Sequence, residues 1–490
     1  MFGFSQHETI ALTIVLVDWV IRISAIFFVP RNRKPNSAIA WLMLLFIAPI
    51  PGLLAYLLIG NPKLPKSRRD AQKTLDHVID LTMKSIARHH DSQQLMDTAP
   101  PEKYHNQAVM NRSLTHLPVS GGNHADILTE YNDIFDCIIR DIETARHFVH
   151  IEYFIICLDN ETEELFAALG RAVARGVKVR LLYDSISTLR YPGYRAMLRR
   201  LKADGVATVS MLPLRFPGFG YVRPDLRNHR KIVVVDGVIG YTGSQNLIKR
   251  NYHRKDDLYY DEVVVRVHGA AALQLAAVFV TDWHAETGEL LSTRQLATDA
   301  LTIQRRGNTL IQIVPSGPGY EDENNLKLFT SLLYRAEKSV TIVNPYFVPD
   351  EALSMAIVSA ARRGITITMI NSESMDQWMV GHAQRSFYEE MLRAGVRIFL
   401  YEAPILLHSK FMLVDNDLAV IGSSNMDIRS FLLDLEVTLV AYDKKIVRTL
   451  RSVEHRYLSR SKEIHLRKWQ QRPPRKVLLD NIARLTSALQ

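Results

Sequence analysis

The chain repeats itself, and the repeat limits what it can fold into. From residue 147, "HFVHIEYFI" reads as a strand. "ELFAALGRAVARGVKVRLLYD" then reads as a helix, a Gly and a strand, and "MLRRLKADGVATVSML" as a helix, a Gly and a strand again. From residue 339, "SVTIVNPYFV", "LSMAIVSAARRGITITMIN" and "FYEEMLRAGVRIFLY" follow the same order. Each series ends in a His-x-Lys segment, "RNHRKIVVVDG" and "LLHSKFMLVDN", and corresponding points lie about 180 residues apart. Strands alternating with helices of this length point to an α/β protein, here built twice on one plan. At 490 residues there is room for both copies and a further unit.

A His and a Lys at the mouth of a valine-rich strand are out of place in a purely structural segment. Side chains alternate faces along a strand, so His229 and Lys231 point the same way, as do His408 and Lys410. Asp236 and Asp415 complete each motif and are grouped with the catalytic set. Their parity is opposite and they fall in "VDGV" and "VDND", so each is expected mainly to fix a hairpin turn or hold a neighbour. A returning strand ends at Gly243-Ser244-Gln245-Asn246 in one copy and Gly422-Ser423-Ser424-Asn425 in the other, with the Gly seven residues beyond the Asp each time. Small residues there let the backbone approach a ligand, and Ser244, Asn246, Ser423 and Asn425 can donate hydrogen bonds.

Two imidazoles and two ammonium groups suit phosphodiester transfer. One neutral imidazole attacks phosphorus; the other protonates the leaving alkoxide and then deprotonates the incoming hydroxyl. Lys231 and Lys410 would hold the non-bridging oxygens, so the site needs neither metal nor cofactor. No P-loop and no HExxH occurs. Isolated histidines such as His147 and His382 read as surface or satisfied core groups.

The N-terminus points to a membrane. Residues 10–29 and 38–59 are each long and apolar enough to cross about 30 Å of hydrocarbon. Asp18 and Arg22 interrupt the first at a spacing that lets them pair. The short link "PRNRKPNS" makes the two spans a hairpin. Basic residues in the link (Arg31, Arg33, Lys34) are outnumbered by those after the second span (Lys63, Lys66, Arg68, Arg69, Lys73), which favours cytoplasmic catalytic lobes. Net charge is +9, which suits an anionic partner. Residues 444–476 carry twelve Lys or Arg against two Glu, a solvated basic face or a patch for anionic headgroups aided by Tyr457 and Trp469. Cys137 and Cys157 are the only cysteines; two reduced, buried thiols are expected rather than a disulfide framework.

With H-x-K-x4-D and a downstream Gly-Ser-x-Asn present twice, the chain resembles the phospholipase D superfamily and, within it, the bacterial cardiolipin synthases. "FLLDLEV", "TDWHAETGELL", "VPSGPG", "NPYFVPD" and the two-span N-terminus are similar to theirs. The resemblance implies two sheet-plus-helix lobes related by a pseudo-twofold axis, with the site between them and a covalent phosphatidyl-His. It implies a transmembrane hairpin over 1–62, a polar connector over 63–120, a first lobe over 121–290 and a second over 291–490 that includes the basic tail. By the same resemblance His229 is the nucleophile and His408 the acid/base, and an acidic residue downstream of each motif, Glu262 (favoured over Asp261) and Glu436, orients its histidine. The implied reaction joins two phosphatidylglycerols into cardiolipin with release of glycerol, in a bacterial cell membrane. Phosphatidylglycerol and cardiolipin are the partners, and no nucleic acid is expected. The matching pairs Tyr153-Phe154 and Tyr346-Phe347 line the pocket or pack in the core. A lipid hydrolase, a phosphatidyltransferase with another acceptor, a nuclease and a membrane scaffold with a vestigial site are the alternatives.

Overall fold

The structure, a computed structural model, describes residues 6–31, 33–66, 68–70, 94–214, 221–253, 257–291 and 304–487. Lys73 of the basic cluster lies outside them. The chain divides into two compact units, Met1–Lys63 with Leu214–Pro224, and Leu64–Pro213 with Asp225–Gln490.

In the smaller unit, one helix, Gln6–Phe28, contains a stretch long and apolar enough to cross a membrane, Thr9–Phe28. Asp18 and Arg22 pair on it at 3.6 Å. The second apolar run differs from the single span expected. It folds as two helices, Pro35–Ile47 and Pro49–Ile59. Ala48 stands at φ −135°, ψ 79°, because the ring of Pro49 disfavours helical geometry in the residue before it. At 13 and 11 residues, and 1.5 Å of rise per residue, neither helix alone reaches across the hydrocarbon. Gly52 lets the two pack closely, since a Cβ there would meet the backbone of Leu44 and Leu45 at 3.1 Å. Arg33 closes the unit, donating to the Gly60 carbonyl at 2.7 Å.

Twenty strands among the described residues organise the larger unit. In the first half these are β1 (Ser120–Leu128), β2 (Phe148–Tyr153), β3 (Lys178–Asp184), β4 (Ala207–Met211), β5 (Arg227–Asn228), β6 (Lys231–Val235), β7 (Ile239–Gly243), β8 (Tyr259–Asp261) and β9 (Val264–His268). The second half adds β10 (Thr309–Ser316), β11 (Ser339–Val343), β12 (Phe347–Val348), β13 (Thr366–Ser372), β14 (Arg397–Tyr401), β15 (Ile405–Leu407), β16 (Phe411–Val414), β17 (Leu418–Gly422), β18 (Met426–Asp427), β19 (Asp434–Tyr442) and β20 (Ser461–Ile464). One sheet runs β20-β14-β13-β11-β16-β17-β19-β10-β1-β9-β7-β6-β2-β3-β4, with β5 attached to β19. Its middle is the antiparallel pair β10–β1. Outward from that pair each side carries one antiparallel strand (β19 or β9), a hairpin (β17–β16 or β7–β6) and three parallel strands (β11-β13-β14 or β2-β3-β4).

Local sequence explains this order. Parallel neighbours need a crossover, and helices Glu163–Ala174, Tyr194–Ala203, Glu351–Arg362 and Trp378–Ala394 supply it. Each is followed by a glycine with positive φ, Gly176, Gly205, Gly364 and Gly395, where a side chain would be strained. These are the "helix, Gly, strand" units read in the sequence. Two apolar clusters result. One is drawn from residues 131–264 with Leu406, the other from Tyr104, Ala108, Val119 and residues 314–483. The described part of the stretch read as a connector thus belongs largely to the larger unit. Helix Ala270–Thr287 is buried from Ala270 to Trp283. It lies against the sheet because Gly240 leaves room; a Cβ there would meet Leu275 at 2.9 Å and Ala272 at 3.2 Å. Cys157 is buried and Cys137 half-buried, both as free thiols.

The motif aspartates sit at the hairpin turns, which corrects their place in the catalytic set. Both adopt φ 52°. Asp236 accepts from the backbone N–H groups of Arg146, His147 and Phe148 at 2.8–2.9 Å. Asp415 accepts from Glu337, Lys338 and Ser339, and forms an ion pair with Lys103 at 2.6 Å. Each thus ties its turn to the start of a neighbouring strand, at the opposite end of its own strand from the motif lysine. Replacing Asp236 or Asp415 by Ala removes three charge-assisted bonds and puts an ordinary side chain at positive φ. We expect a loss of about 2–4 kcal/mol in urea unfolding, larger for Asp415→Ala because the shortest of the Lys103 ion pairs is lost too.

Candidate active site

The segments leading into the two motifs cross over. β5 pairs in parallel with β19, Arg227 opposite Asp434 and Asn228 opposite Leu435, and the His229 N–H donates to the Leu435 carbonyl at 2.8 Å. β15 pairs in parallel with β8, and the His408 N–H donates to the Asp261 carbonyl at 2.9 Å. Each histidine is therefore carried to the acidic residue of the other half. His229 Nδ1 lies 2.9 Å from Glu436 Oε1, and His408 Nδ1 lies 2.8 Å from Glu262 Oε1. The expectation that each acid orients the histidine of its own motif is thereby corrected: the pairing is crossed. Glu262, rather than Asp261, is the residue that reaches an imidazole.

A carboxylate at Nδ1 accepts that nitrogen's proton and turns the lone pair of a neutral ring to Nε2. The strand parity argument for the lysines holds. Lys231 Nζ donates to the His229 carbonyl at 2.8 Å and Lys410 Nζ to the His408 carbonyl at 2.7 Å. All six groups are buried; the histidines keep only 7% and 5% of their exposure.

Burial of so many ionisable groups shifts them, and not equally. Burial, then the positive charge of Lys231, Lys410 and His408, holds His229 well below the usual imidazole value. Burial also lowers His408, but Glu262 opposes the shift. Desolvation brings Lys231 down to about 8 and Lys410 down to about 7. Burial pushes Glu436 up to about 7. It acts on Glu262 in the same sense, but His408 and Lys410 outweigh it, and that carboxyl lies below its ordinary value. The His229–Glu436 pair thus leans to its neutral form, whereas Glu262 lies below its ordinary value and checks, without reversing, the downward shift of His408. That each histidine and each lysine feels the charged groups of the other motif brings the two motifs into one electrostatic site.

The Gly-Ser-x-Asn segments do something other than meet a ligand with their Gly and Ser. A Cβ on Gly243 would meet the Val263 carbonyl at 2.4 Å, and one on Gly422 the Val437 carbonyl at 2.5 Å, so the close approach is to the next strand. Ser423 donates its hydroxyl to Glu436 Oε2, and Ser244 stands beside Glu262 while accepting from the Val263 N–H at 2.9 Å. Both serines steady the glutamates. The asparagines differ from each other. Asn246 donates to Tyr252 at 3.1 Å, whereas the side-chain oxygen of Asn425 is buried without a hydrogen-bond partner.

Several members were not visible in the sequence. Ser430 donates to Glu436 Oε1 at 2.8 Å, giving this carboxylate a second hydroxyl. The middle residue of each motif faces away and braces the arrangement. Arg230, fully buried, donates to the carbonyl of Glu436 at 3.0 Å and pairs with Asp282. Ser409 meets the Tyr457 hydroxyl at 2.8 Å, and Tyr457 and Tyr401 donate to Asp261. Strand alternation marks positions 230 and 409 as opposite in facing, but nothing local names their partners. Phe154 presents its ring at 4.7 Å from that of His229, and Tyr260 and Tyr346 flank His408 at 5.4 and 6.3 Å. Of the Tyr-Phe pairs, then, Phe154 and Tyr346 border the site, while Tyr153, Phe347 and Tyr346 itself pack in the core. His382 is satisfied by Asp480 at 2.6 Å.

This sheet order and these paired motifs are those of a phospholipase D-like protein. The solved phosphatidylserine synthase of Haemophilus influenzae shares the fold, with a TM-score of 0.57 and 16% identity over 78% of this chain and 99% of that one. The family model described as "Cardiolipin synthase, PLD-like domain" matches residues 138–283 and 329–456, and "Phospholipase_D-nuclease N-terminal" matches residues 11–61. Cardiolipin synthase A of Proteus mirabilis is 31% identical over 96% of each chain. The cardiolipin synthase of Halalkalibacterium halodurans is 32% identical over 98% of this chain and 94% of its own. The chain belongs to the cardiolipin synthase family.

Charge at the site has a measurable consequence. A lysine whose value is lowered is cationic below that value and neutral above it. Binding of an oxyanion probe such as tungstate, followed by calorimetry, should therefore weaken as pH rises through about 7 to 8, where Lys410 and then Lys231 lose their protons. Glu262 opposes the fall in Lys410, so Glu262→Gln should move that loss to lower pH. A profile left in place by Glu262→Gln would separate Glu262 from Lys410.

Proposed function

We propose that this chain joins two phosphatidylglycerol molecules into cardiolipin and releases glycerol, with His229 as nucleophile and His408 as acid and base. The crossed imidazole–carboxylate pairing carries this reading. It supports two Nε2 atoms serving one phosphorus, with Lys231 and Lys410 beside them to hold its non-bridging oxygens. Neutral His229 Nε2 attacks the phosphorus of the first phosphatidylglycerol. The bond to the glycerol oxygen breaks as protonated His408 delivers its proton to that oxygen, and glycerol departs. A phosphatidyl-His229 remains. The second phosphatidylglycerol then gives the proton of its glycerol hydroxyl to His408, its oxygen attacks phosphorus, and His229 leaves. One phosphodiester replaces another, so no nucleotide is consumed.

The assignment of roles draws on the asymmetry of the pairs. His229, depressed furthest and beside a carboxyl near 7, stays unprotonated, as a nucleophile must. His408, beside a carboxylate that stays ionised, is the one better able to hold a proton. Glu436 and Glu262 orient the rings, with Ser423, Ser430 and Ser244 behind them. Near-complete burial keeps water scarce, which favours a lipid hydroxyl over hydrolysis. The mirrored strand order about β10–β1 supports two lobes related by a pseudo-twofold axis, here assigned to 121–290 and 291–490. Helix Thr9–Phe28 supports anchoring in a bacterial cell membrane. The broken apolar run 35–59 would return the chain to the starting side, and the basic residues after it favour cytoplasmic lobes.

The test uses phosphatidylglycerol labelled at phosphorus and in its acyl chains. Purified protein in mixed vesicles should yield labelled cardiolipin and free glycerol, and denaturing quench should leave phosphorus label on the protein. His229→Ala should lose both. His408→Ala, given a phosphatidyl donor with a p-nitrophenol leaving group, should still take up label but turn over at least about 100-fold more slowly. Phosphatidic acid as the sole product would overturn the synthase reading, and label retained in His229→Ala would reverse the roles.

A further inference from the structure

The basic C-terminal segment was expected to meet anionic headgroups with the help of Tyr457 and Trp469, but both side chains are buried. The exposed apolar side chains lie elsewhere. Helix Pro474–Leu485 leaves Leu478, Ile482 and Leu485 exposed at 62%, 52% and 85%. Their spacing of four and three puts them on one face, opposite the buried Asp480 and Ala483. Asp480 pins that helix to helix Trp378–Ala394, accepting from Arg472 at 2.6 Å and meeting His382 at 2.6 Å. On the second helix, Trp378 and Met379 are exposed as well, and the Trp378 ring lies 4.5 Å from that of His382. The His382–Asp480 contact therefore ties the two helices that carry these exposed side chains to each other. Arg467, Lys468, Arg475 and Lys476, just before this helix and in its first turn, are all exposed.

The patch also continues to the site. Asp376, two residues before Trp378, accepts from the Tyr346 hydroxyl at 2.7 Å and from that of Tyr260 at 3.4 Å, and both rings flank His408. We propose that the face made by the start of helix Trp378–Ala394 and the exposed side of helix Pro474–Leu485 docks on an anionic lipid bilayer, and so holds the wall of the site next to His408 against the lipid surface. Apolar side chains inserted at headgroup level, with Arg and Lys nearby, are the chemistry of an interfacial helix. A tryptophan beside them fits the same depth. An anionic bilayer takes up the apolar side chains at headgroup level and neutralises the exposed Arg and Lys at the same time. The inference rests on the lipid reading above for its purpose, but its deciding measurement, the fluorescence of a label at position 482, needs no turnover.

In full-length protein carrying Cys137→Ser and Cys157→Ala, Ile482→Cys is labelled with an environment-sensitive fluorophore, as is Lys202→Cys on the exposed side of another helix. Reconstituted in phosphatidylglycerol–phosphatidylethanolamine vesicles, the label at 482 should shift to the blue and lose most of its emission to lipids spin-labelled near the headgroup; that at 202 should do neither. Leu478→Ser/Ile482→Ser/Leu485→Ser, on an exposed face, should keep its unfolding midpoint. It should raise KM for vesicle substrate about fivefold or more, with kcat and activity on a monomeric short-chain lipid unchanged. A label at 482 that stays unquenched in vesicles overturns the proposal. A blue shift already present without lipid, abolished together with dimerisation by the triple variant, assigns the face to a second copy instead.

Discussion

Everything at the centre of this molecule depends on each imidazole being held by a carboxylate from the other half of the chain. That contact is made by backbone before it is made by side chains. β5 leaves its own half to pair with β19, and β15 leaves its own to pair with β8. Two short parallel pairings thus set the positions of His229 and Glu436, and of His408 and Glu262. Neither half can complete a His–Glu pair alone. The central β10–β1 ladder, which fuses the two sides into one sheet, is therefore a requirement of the site as much as of the fold.

The same burial that makes the site dry makes it electrically demanding. Two ammonium groups, two imidazoles and two carboxyls share a region with almost no water, where an unpaired charge costs several kcal/mol. The arrangement answers in two ways. It lowers the lysines and histidines toward neutrality, and it interleaves the carboxylates so that each positive group has one nearby. The outer braces repeat the logic. Arg230 is neutralised by Asp282, and Asp261 is met by two phenol hydroxyls. On the proposed function, an arriving phosphodiester would add negative charge beside the two lysines.

Much of this was legible in the sequence because it is local. Helix–Gly–strand units announced the parallel strands, since a glycine directly after a helical run readily takes the positive φ that ends it. Alternation along a strand placed His229 with Lys231 and set Asp236 on the opposite parity. What could not be read is what depends on which strand lies beside which. Nothing near residue 229 says that its partner is 436 rather than 262, and Ser430 reaches Glu436 only because a short helix turns the chain there. The glycines of Gly-Ser-x-Asn were misread for a related reason: a demand for close approach shows in the sequence, but not what approaches. The second apolar run shows the limit of composition. Residues 38–59 are uniformly apolar, yet the prolines at 49 and 51 decide that they form no single helix.

A duplicated site would be expected to be symmetric, and its departures from symmetry fall where the proposed roles differ. Glu436 receives hydroxyls from both Ser423 and Ser430, and its backbone carbonyl receives Arg230; position 409, the counterpart of Arg230, is a serine that turns to Tyr457 instead. Lys103 reinforces the turn at Asp415, while the acceptors of Asp236 are filled by backbone N–H groups. Burial unopposed by a carboxylate, together with a carboxyl near 7, leaves His229 with its lone pair, and Glu262, held below its ordinary value, leaves His408 the better proton holder. Two separate but identical subunits could not divide the labour this way, since any change in one would appear in the other. On the proposed roles, fusing both copies into one chain is what would allow one imidazole to be tuned for phosphorus and the other for protons.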